Sequence, residues 1–382
     1  MLNKLKKLDW GILLILGLLM AVSVVAIHSA TAFTPKYSGS VVKQLMFYGL
    51  GFGVAIVSVL FDYRIVLKLW HVMYGVGIAL LIAVYFFGGI VNGAKGWFRL
   101  GAFSFQPAEI VKIILIIGIA YLMGKRQGDK LNFSQDLLPI GAFAFLPFLL
   151  VMIQPDLGNA IIYLVIVVGM LWIGNVKYTH VLIGITALVA GLVLFVMLFN
   201  MFNEQIYNYL DNAEKTHWYD RINTFINPNE ASADARHQSE NAMIAIGSGG
   251  LSGDGFLQGD MKNGGFIPYT YSDSIFVVIG EEFGFQGSAI LLMLYFLLIY
   301  RMIMIAFKCY DRRASYIIIG IVSMFVFQVF QNIGMMIGLM PITGITLPFV
   351  SYGGTSLLLN MLSIGLVLSI KAHQEVYELV AD

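Results

Sequence analysis

Ten apolar runs, each close to twenty residues long, succeed one another between residues 10 and 370 and leave this chain little choice of fold. They lie at roughly 10–28, 44–61, 69–91, 107–123, 137–154, 157–175, 180–202, 276–300, 315–339 and 353–370. About 20 such residues, wound as a helix, cross the ~30 Å hydrocarbon layer of a bilayer. A helix satisfies its backbone polar groups internally, as lipid demands, and the runs lack the alternation of barrel strands. Charged residues make up only 12% of the chain, whereas a soluble domain carries about 25%. The expected fold is an all-α polytopic membrane protein, a single membrane domain over 1–382 with one large loop at 203–275 between the seventh and eighth spans. A net charge of +1 offers no basic surface to nucleic acid.

Most Lys and Arg fall in the short connections on the side of the N-terminus. The bias of basic residues toward the cytoplasm then predicts cytoplasmic termini and an extracytoplasmic 203–275 loop. Ala30-Thr31-Ala32 resembles a signal-peptide cleavage site, but the apolar core before it is longer than a usual h-region and further spans follow, so a retained helix is expected. The single cysteine, Cys309, excludes an intrachain disulfide. No internal repeat is evident, which weakens an inverted-repeat transporter.

Charges at membrane depth are costly and each needs a reason. Glu109 and Lys112 stand at i and i+3 on one helix face, able to pair and to form the wall of a polar cavity. Just before them, Lys95 and Arg99 can attract phosphate oxygens and Trp97 can stack on a sugar, although such residues also belong to an ordinary interfacial belt. Asp156, in the turn Gln154-Pro155-Asp156-Leu157-Gly158, can cap the next helix or face a site. Residues 247–255 hold five glycines in nine, including Gly250 and Gly253, and can form a mobile loop that closes over substrate.

Asp273 stands where the polar loop runs into the apolar stretch Ser274–Phe307. It can serve as an acid–base group at the membrane surface, or Ser272 or Asp273 can simply cap the helix. At 1.5 Å per residue that stretch is about 51 Å long as a helix, so it either projects above the membrane or breaks near Gly284 or Gly287. Glu281 and Glu282 follow and are weak candidates for a metal ion.

These segments resemble the SEDS family (shape, elongation, division and sporulation) over essentially the whole chain. The matching blocks are NGAKGWFRLG and FQPAEIVK within 92–112, QPDLG at 154–158, RHQSENAMIAIGSGGLSGDGF at 236–256, FIPYTYSDSIFVVIGEEFGF at 266–285 and NIGMMIGLMPITGITLPFVSYGGTSLL at 332–358. The resemblance implies a peptidoglycan glycosyltransferase that polymerises lipid II on the outer face of a bacterial cytoplasmic membrane. It implies Asp273 as the essential acid, and Trp97, Glu109 and Lys112 as cavity residues. Gln238, Ser239 and Arg236 lie in a matching block, and Arg221 and Arg236 join Lys95, Arg99 and Lys112 as candidates to neutralise the leaving undecaprenyl pyrophosphate. Mg²⁺ or Mn²⁺ is the other candidate for that task. The expected partner is a class B penicillin-binding protein, a transpeptidase. PITG at Pro341–Gly344 looks more like the RodA branch, which serves cell elongation and rod shape. Tyr269 and Tyr271 depart from the family's usual Glu and His before the acid. A lipid II flippase is the rival reading; it requires a continuous polar path across the membrane.

Overall fold

The structure is a computed structural model; it describes residues 7–34, 37, 39–91, 94–100, 103–126, 128–212, 216, 219, 222–223, 226–227 and 233–374. At 90–91, 94–95, 99–100, 103 and 233–236 the backbone alone is described. The chain is a helical membrane bundle: α1 Trp10–Thr31, α2 Ser40–Leu60, the short α3 Tyr63–Lys68, α4 Trp70–Phe87, α5 Pro107–Gly124, α6 Leu138–Ile153, α7 Leu157–Ile173 and α8 Tyr178–Met201. Then come α9 Asn203–Asn212, α10 Ala233–Ser248, α11 Asp260–Asn263, α12 Ile275–Phe307, α13 Arg312–Met336 and α14 Gly354–His373. Among the described residues nine helices are long and apolar enough to cross a membrane, counting α6 together with the π-helical turn Phe133–Leu137 that leads into it, and α7, with 17 residues, is a shorter apolar helix. Pro107 opens α5 and Pro139 opens α6, positions where a missing N–H costs nothing.

Position in the bundle inverts the usual relation between apolarity and burial. α5 is the central helix, packed by α4, α7 and α13, and it carries the buried Glu109 and Lys112. α8 is purely apolar or polar-neutral after His180, yet buries only Phe199. Lipid is as apolar as a protein core, so outward faces are greasy and the interior is where polar groups find partners.

Two local features depart from the expectation or sharpen it. The segment before α5 is not a loop but an antiparallel three-stranded ribbon, β1 Gly89–Val91, β2 Ala94–Leu100 and β3 Phe103–Phe105. The 33-residue α12 breaks at Gly284, whose φ of 60° and ψ of −156° are open to glycine alone.

The glycine-rich loop fills that break. Asp254 N donates to Glu281 O (2.9 Å) and Gly255 N to Glu282 O (3.1 Å), while Phe285 N and Gln286 N donate to Gly250 O (2.9 Å) and Leu251 O (3.1 Å). The backbone groups released by the break are thereby re-satisfied. The expected mobile lid at 247–255 is therefore corrected: the loop is a docked splint.

Between α13 and α14 the segment 337–353 is irregular and partly buried. Four successive carbonyls of it, at 348–351, are each met by a side chain from a spanning helix. Tyr295 donates to Pro348 O, Tyr48 to Phe349 O, Ser23 to Val350 O (2.7 Å) and Gln44 to Ser351 O (3.3 Å). Irregular backbone inside a membrane protein persists only where such partners exist.

Candidate active site

A cavity of about 780 Å³ opens where the start of α5, the α6–α7 turn, α10, the loop before α12 and the segment 337–356 converge. Trp97, Glu109, Asp156, Gln238, Ser239 and Asp273 all line it. Segments as far apart in sequence as Trp97 and Ser356 thus line one chamber.

Asp273 is buried to 9% exposure and does not cap α12. The helix begins at Ile275, the capping position is Ser274, and no side chain bonds the first-turn amides. The carboxylate instead accepts a hydrogen bond from Ser272 Oγ (2.8 Å) through Oδ1. A methyl added at Gly344, where φ is +75°, would sit 3.6 Å from Oδ2, so the 337–353 segment passes directly beneath the acid.

Asp156 has both of the roles left open for it. Oδ1 caps α7 by accepting from Asn159 N (3.1 Å), and Oδ2 accepts from Gln106 Nε2 (2.6 Å) and Asn159 Nδ2 (2.8 Å). Burial raises its carboxyl above the usual range; the bonds from Asn159 oppose this, nearby Glu109 adds to it, and Lys112 reduces it. Glu109 pairs with Lys112 Nζ at 2.7 Å, and Lys112 itself lies behind the wall, 1% exposed, rather than lining the cavity.

Other expectations are relocated. Gly250 and Gly253 belong to the splint and do not line the cavity. Glu281 accepts from Met261 N (2.6 Å) and Lys262 N (3.2 Å), holding the turn of α11, and Glu282 pairs with Lys262 Nζ (2.5 Å) and Ser29 Oγ (2.6 Å). The candidate metal ligands are thus engaged away from the chamber. Among the described residues no group of three or more His, Cys, Asp and Glu could hold an ion. Arg221 and the side chains of Lys95, Arg99 and Arg236 lie outside the described residues.

Sequence reasoning overlooked Gln106, Asn159, Thr343 and the opening of α14 at Gly354, Thr355 and Ser356, all of which line the cavity. For the α14 residues the signal was present as the run Ser351-Tyr352-Gly353-Gly354-Thr355-Ser356 beside an apolar span. It also missed the aromatic wall. Tyr271 packs on Tyr37 with ring centroids 4.3 Å apart and meets Tyr352 edge-on at 5.9 Å. Burial, then the hydrogen bond to Tyr37, and the charge of Asp273 push the Tyr271 phenol above its ordinary pKa.

The family model described as "Cell cycle protein", which groups FtsW, RodA and SpoVE, matches residues 4–376. The chain belongs to the FtsW/RodA/SpoVE family. It is 30% identical to stage V sporulation protein E of Bacillus subtilis (strain 168) over 384 residues, covering 96% of this chain and 97% of the relative. It is 32% identical to the peptidoglycan glycosyltransferase MrdB of Escherichia coli K12 over 369 residues, covering 96% and 94%. The crystal structure of Thermus thermophilus rod shape determining protein RodA superposes with a TM-score of 0.70 at 28% identity, covering 96% of this chain and 97% of that one. A chain from a peptidoglycan synthase complex, described for its coordination of polymerization and crosslinking, gives 0.76 at 27% identity, covering 96% and 98%. The resemblance stated from the SEDS motifs is therefore correct at the level of the family, and this member is a multi-pass membrane protein.

Proposed function

We infer that this chain is a peptidoglycan glycosyltransferase that polymerises lipid II, with Asp273 as general base. The observation that carries the reading is a buried carboxylate that does not cap α12 and that lines a cavity of about 780 Å³ together with Trp97, Glu109, Asp156, Gln238 and Ser239. The 4-hydroxyl of the acceptor GlcNAc attacks C1 of the donor MurNAc and loses its proton to Asp273. The bond from C1 to the α-linked pyrophosphate breaks on the opposite face, undecaprenyl pyrophosphate departs, and a β-1,4 link forms with inversion. A positioned base supplies about 10²–10⁴ in rate, and the rest comes from orientation and charge stabilisation.

The chamber suits both tasks. Gly353 precedes α14 without a side chain to cap it, so the amides of its first turn are open to phosphate oxygens. Trp97 and Tyr352 offer aromatic faces to sugar rings. The apolar outer helix surfaces suit undecaprenyl chains. The basic-residue bias supports cytoplasmic termini and a chamber opening outside the cytoplasmic membrane. PITG at 341–344 supports a role in elongation, and the similarity to a synthase-complex chain supports a class B penicillin-binding protein as partner. Glu281 and Glu282 being engaged, an Mg²⁺ or Mn²⁺ ion at this site would take most of its ligands from substrate phosphates. Accordingly, Mn²⁺ titrated into the protein alone should not saturate a site, and any stimulation should require lipid II.

The test is polymerisation of lipid II by wild type and Asp273→Asn, with and without the cognate transpeptidase, after matching their thermal unfolding. Polymer from wild type and none from the variant is expected. Equal polymer from both would remove Asp273 as the base.

A further inference from the structure

The backbone that carries Asp273 belongs to no regular element; residues 269–274 are turn. Three successive carbonyls of this turn nonetheless each accept a hydrogen bond from the last third of the chain. Tyr271 O is met by Tyr352 N (3.0 Å), Ser272 O by Ser351 Oγ (2.6 Å) and Asp273 O by Asn332 Nδ2 (2.7 Å).

Two of these donors do double duty. Asn332 gives a second bond from Nδ2 to Ile345 O (2.7 Å), and Ser351 Oγ accepts from Leu347 N (2.8 Å). Each therefore ties the turn to the segment that runs beneath the carboxylate. An amide group has two N–H donors on one nitrogen, so it can bond both carbonyls at once, and the flipped amide would set its oxygen against two others. Both residues are deeply buried, Asn332 at 0% and Ser351 at 4% exposure, and neither lines the cavity.

We infer that Asn332 and Ser351 are positioning residues for Asp273. They hold the turn against residues 345–351 so that the carboxylate stays above Gly344 and faces the chamber. The inference rests on the reading of Asp273 as general base. Neither side chain can touch substrate from where it lies, so its effect passes through the placement of the acid. Placement matters at this scale, because a shift of about 1 Å at a reacting group can lower the rate on the order of 10²-fold.

The experiment is steady-state polymerisation of lipid II by the full chain carrying Asn332→Asp, Ser351→Ala or Ser351→Thr, with Asp273→Asn alongside. Asn332→Asp keeps the shape but loses both donated bonds. It should lower kcat by roughly 10²-fold while KM for lipid II stays within about 3-fold, the pattern of a lost transition-state interaction. Ser351→Ala should lower kcat by about 10-fold, and Ser351→Thr, which keeps the hydroxyl, should recover most of it. If Asn332→Asp fails to fold, the Ser351 pair decides: equal kcat for Ala and Thr overturns the inference. It is also overturned by wild-type kcat in folded Asn332→Asp, or by a raised KM with kcat unchanged. Should Asp273→Asn polymerise normally, the base assignment itself fails and takes this inference with it. Should Asp273→Asn be inactive while Asn332→Asp and Ser351→Ala are fully active, only the positioning claim falls.

Discussion

Asp156 and Asp273 look alike in sequence, each a carboxylate just before an apolar helix. The structure separates them by the place where the helix starts. Leu157 begins α7 directly after Asp156, so that carboxylate reaches the first-turn amides. Ser274 intervenes before α12, and the Asp273 carboxylate accepts from Ser272 Oγ and lines the chamber instead. A shift of one residue in a helix boundary decided the assignment, and residue patterns do not resolve boundaries that finely. Glu109 and Lys112 were legible as a pair because i and i+3 share a helix face. Their burial adds a consequence. Lys112→Met should leave Glu109 without its partner and lower stability by roughly 3–5 kcal/mol, read as thermal unfolding in detergent. Adding Glu109→Gln to that variant should recover much of the loss, and no recovery would mean that Lys112 stabilises by packing alone.

At the scale of elements, the length of α12 left two outcomes open, projection above the membrane or a break near Gly284 or Gly287, and the structure shows the break at Gly284. What fills the break was not legible, because the partner of a broken helix is set by tertiary contact. The splint makes a graded prediction. A Cβ on Gly253, where φ is +81°, would lie 2.2 Å from Glu282 O, whereas one on Gly250, where φ is +50°, meets nothing nearer than Ser248 O at 3.9 Å. Gly253→Ala should therefore cost well over the ~1–2 kcal/mol of left-handed strain expected for Gly250→Ala, with hydrogen exchange rising at 281–286. Equal effects would show that the loop yields easily. The buried 337–353 segment carries a parallel expectation. Tyr48→Phe removes the donor to Phe349 O and should destabilise by about 1–3 kcal/mol. The segment's role was hidden in sequence because its carbonyl partners lie on helices far away along the chain.

For the whole molecule, hydropathy made the membrane class plain but could not rank the helices by depth, since lipid and core select the same side chains. The bare α8 and the central α5 both pass as spans, and only the Glu109–Lys112 pair within α5 marks it as interior. The start of α1 and the end of α14 are also joined. Asp9 at the start of α1 accepts from Lys371 Nζ at 2.9 Å and faces Arg301 at 3.8 Å. Burial alone would raise its carboxyl, but the bonds and charges of Lys371, Ile12 and Arg301 hold it below its usual value. Its stabilising contribution is therefore present above the unfolded carboxylate pKa, about 3.9, and is lost as pH falls toward the lower folded value. Asp9→Asn should flatten that acid-side fall in thermal stability; an unchanged pH profile would assign the fall to other groups. Long-range assembly has a temporal side as well. Asn332 follows Asp273 by 59 residues and Ser351 follows Ser272 by 79. At the ~5–20 residues per second of synthesis, the acid waits several seconds before its braces emerge from the ribosome. A chain cut before residue 332 would therefore carry Asp273 without either of the side chains that meet its turn.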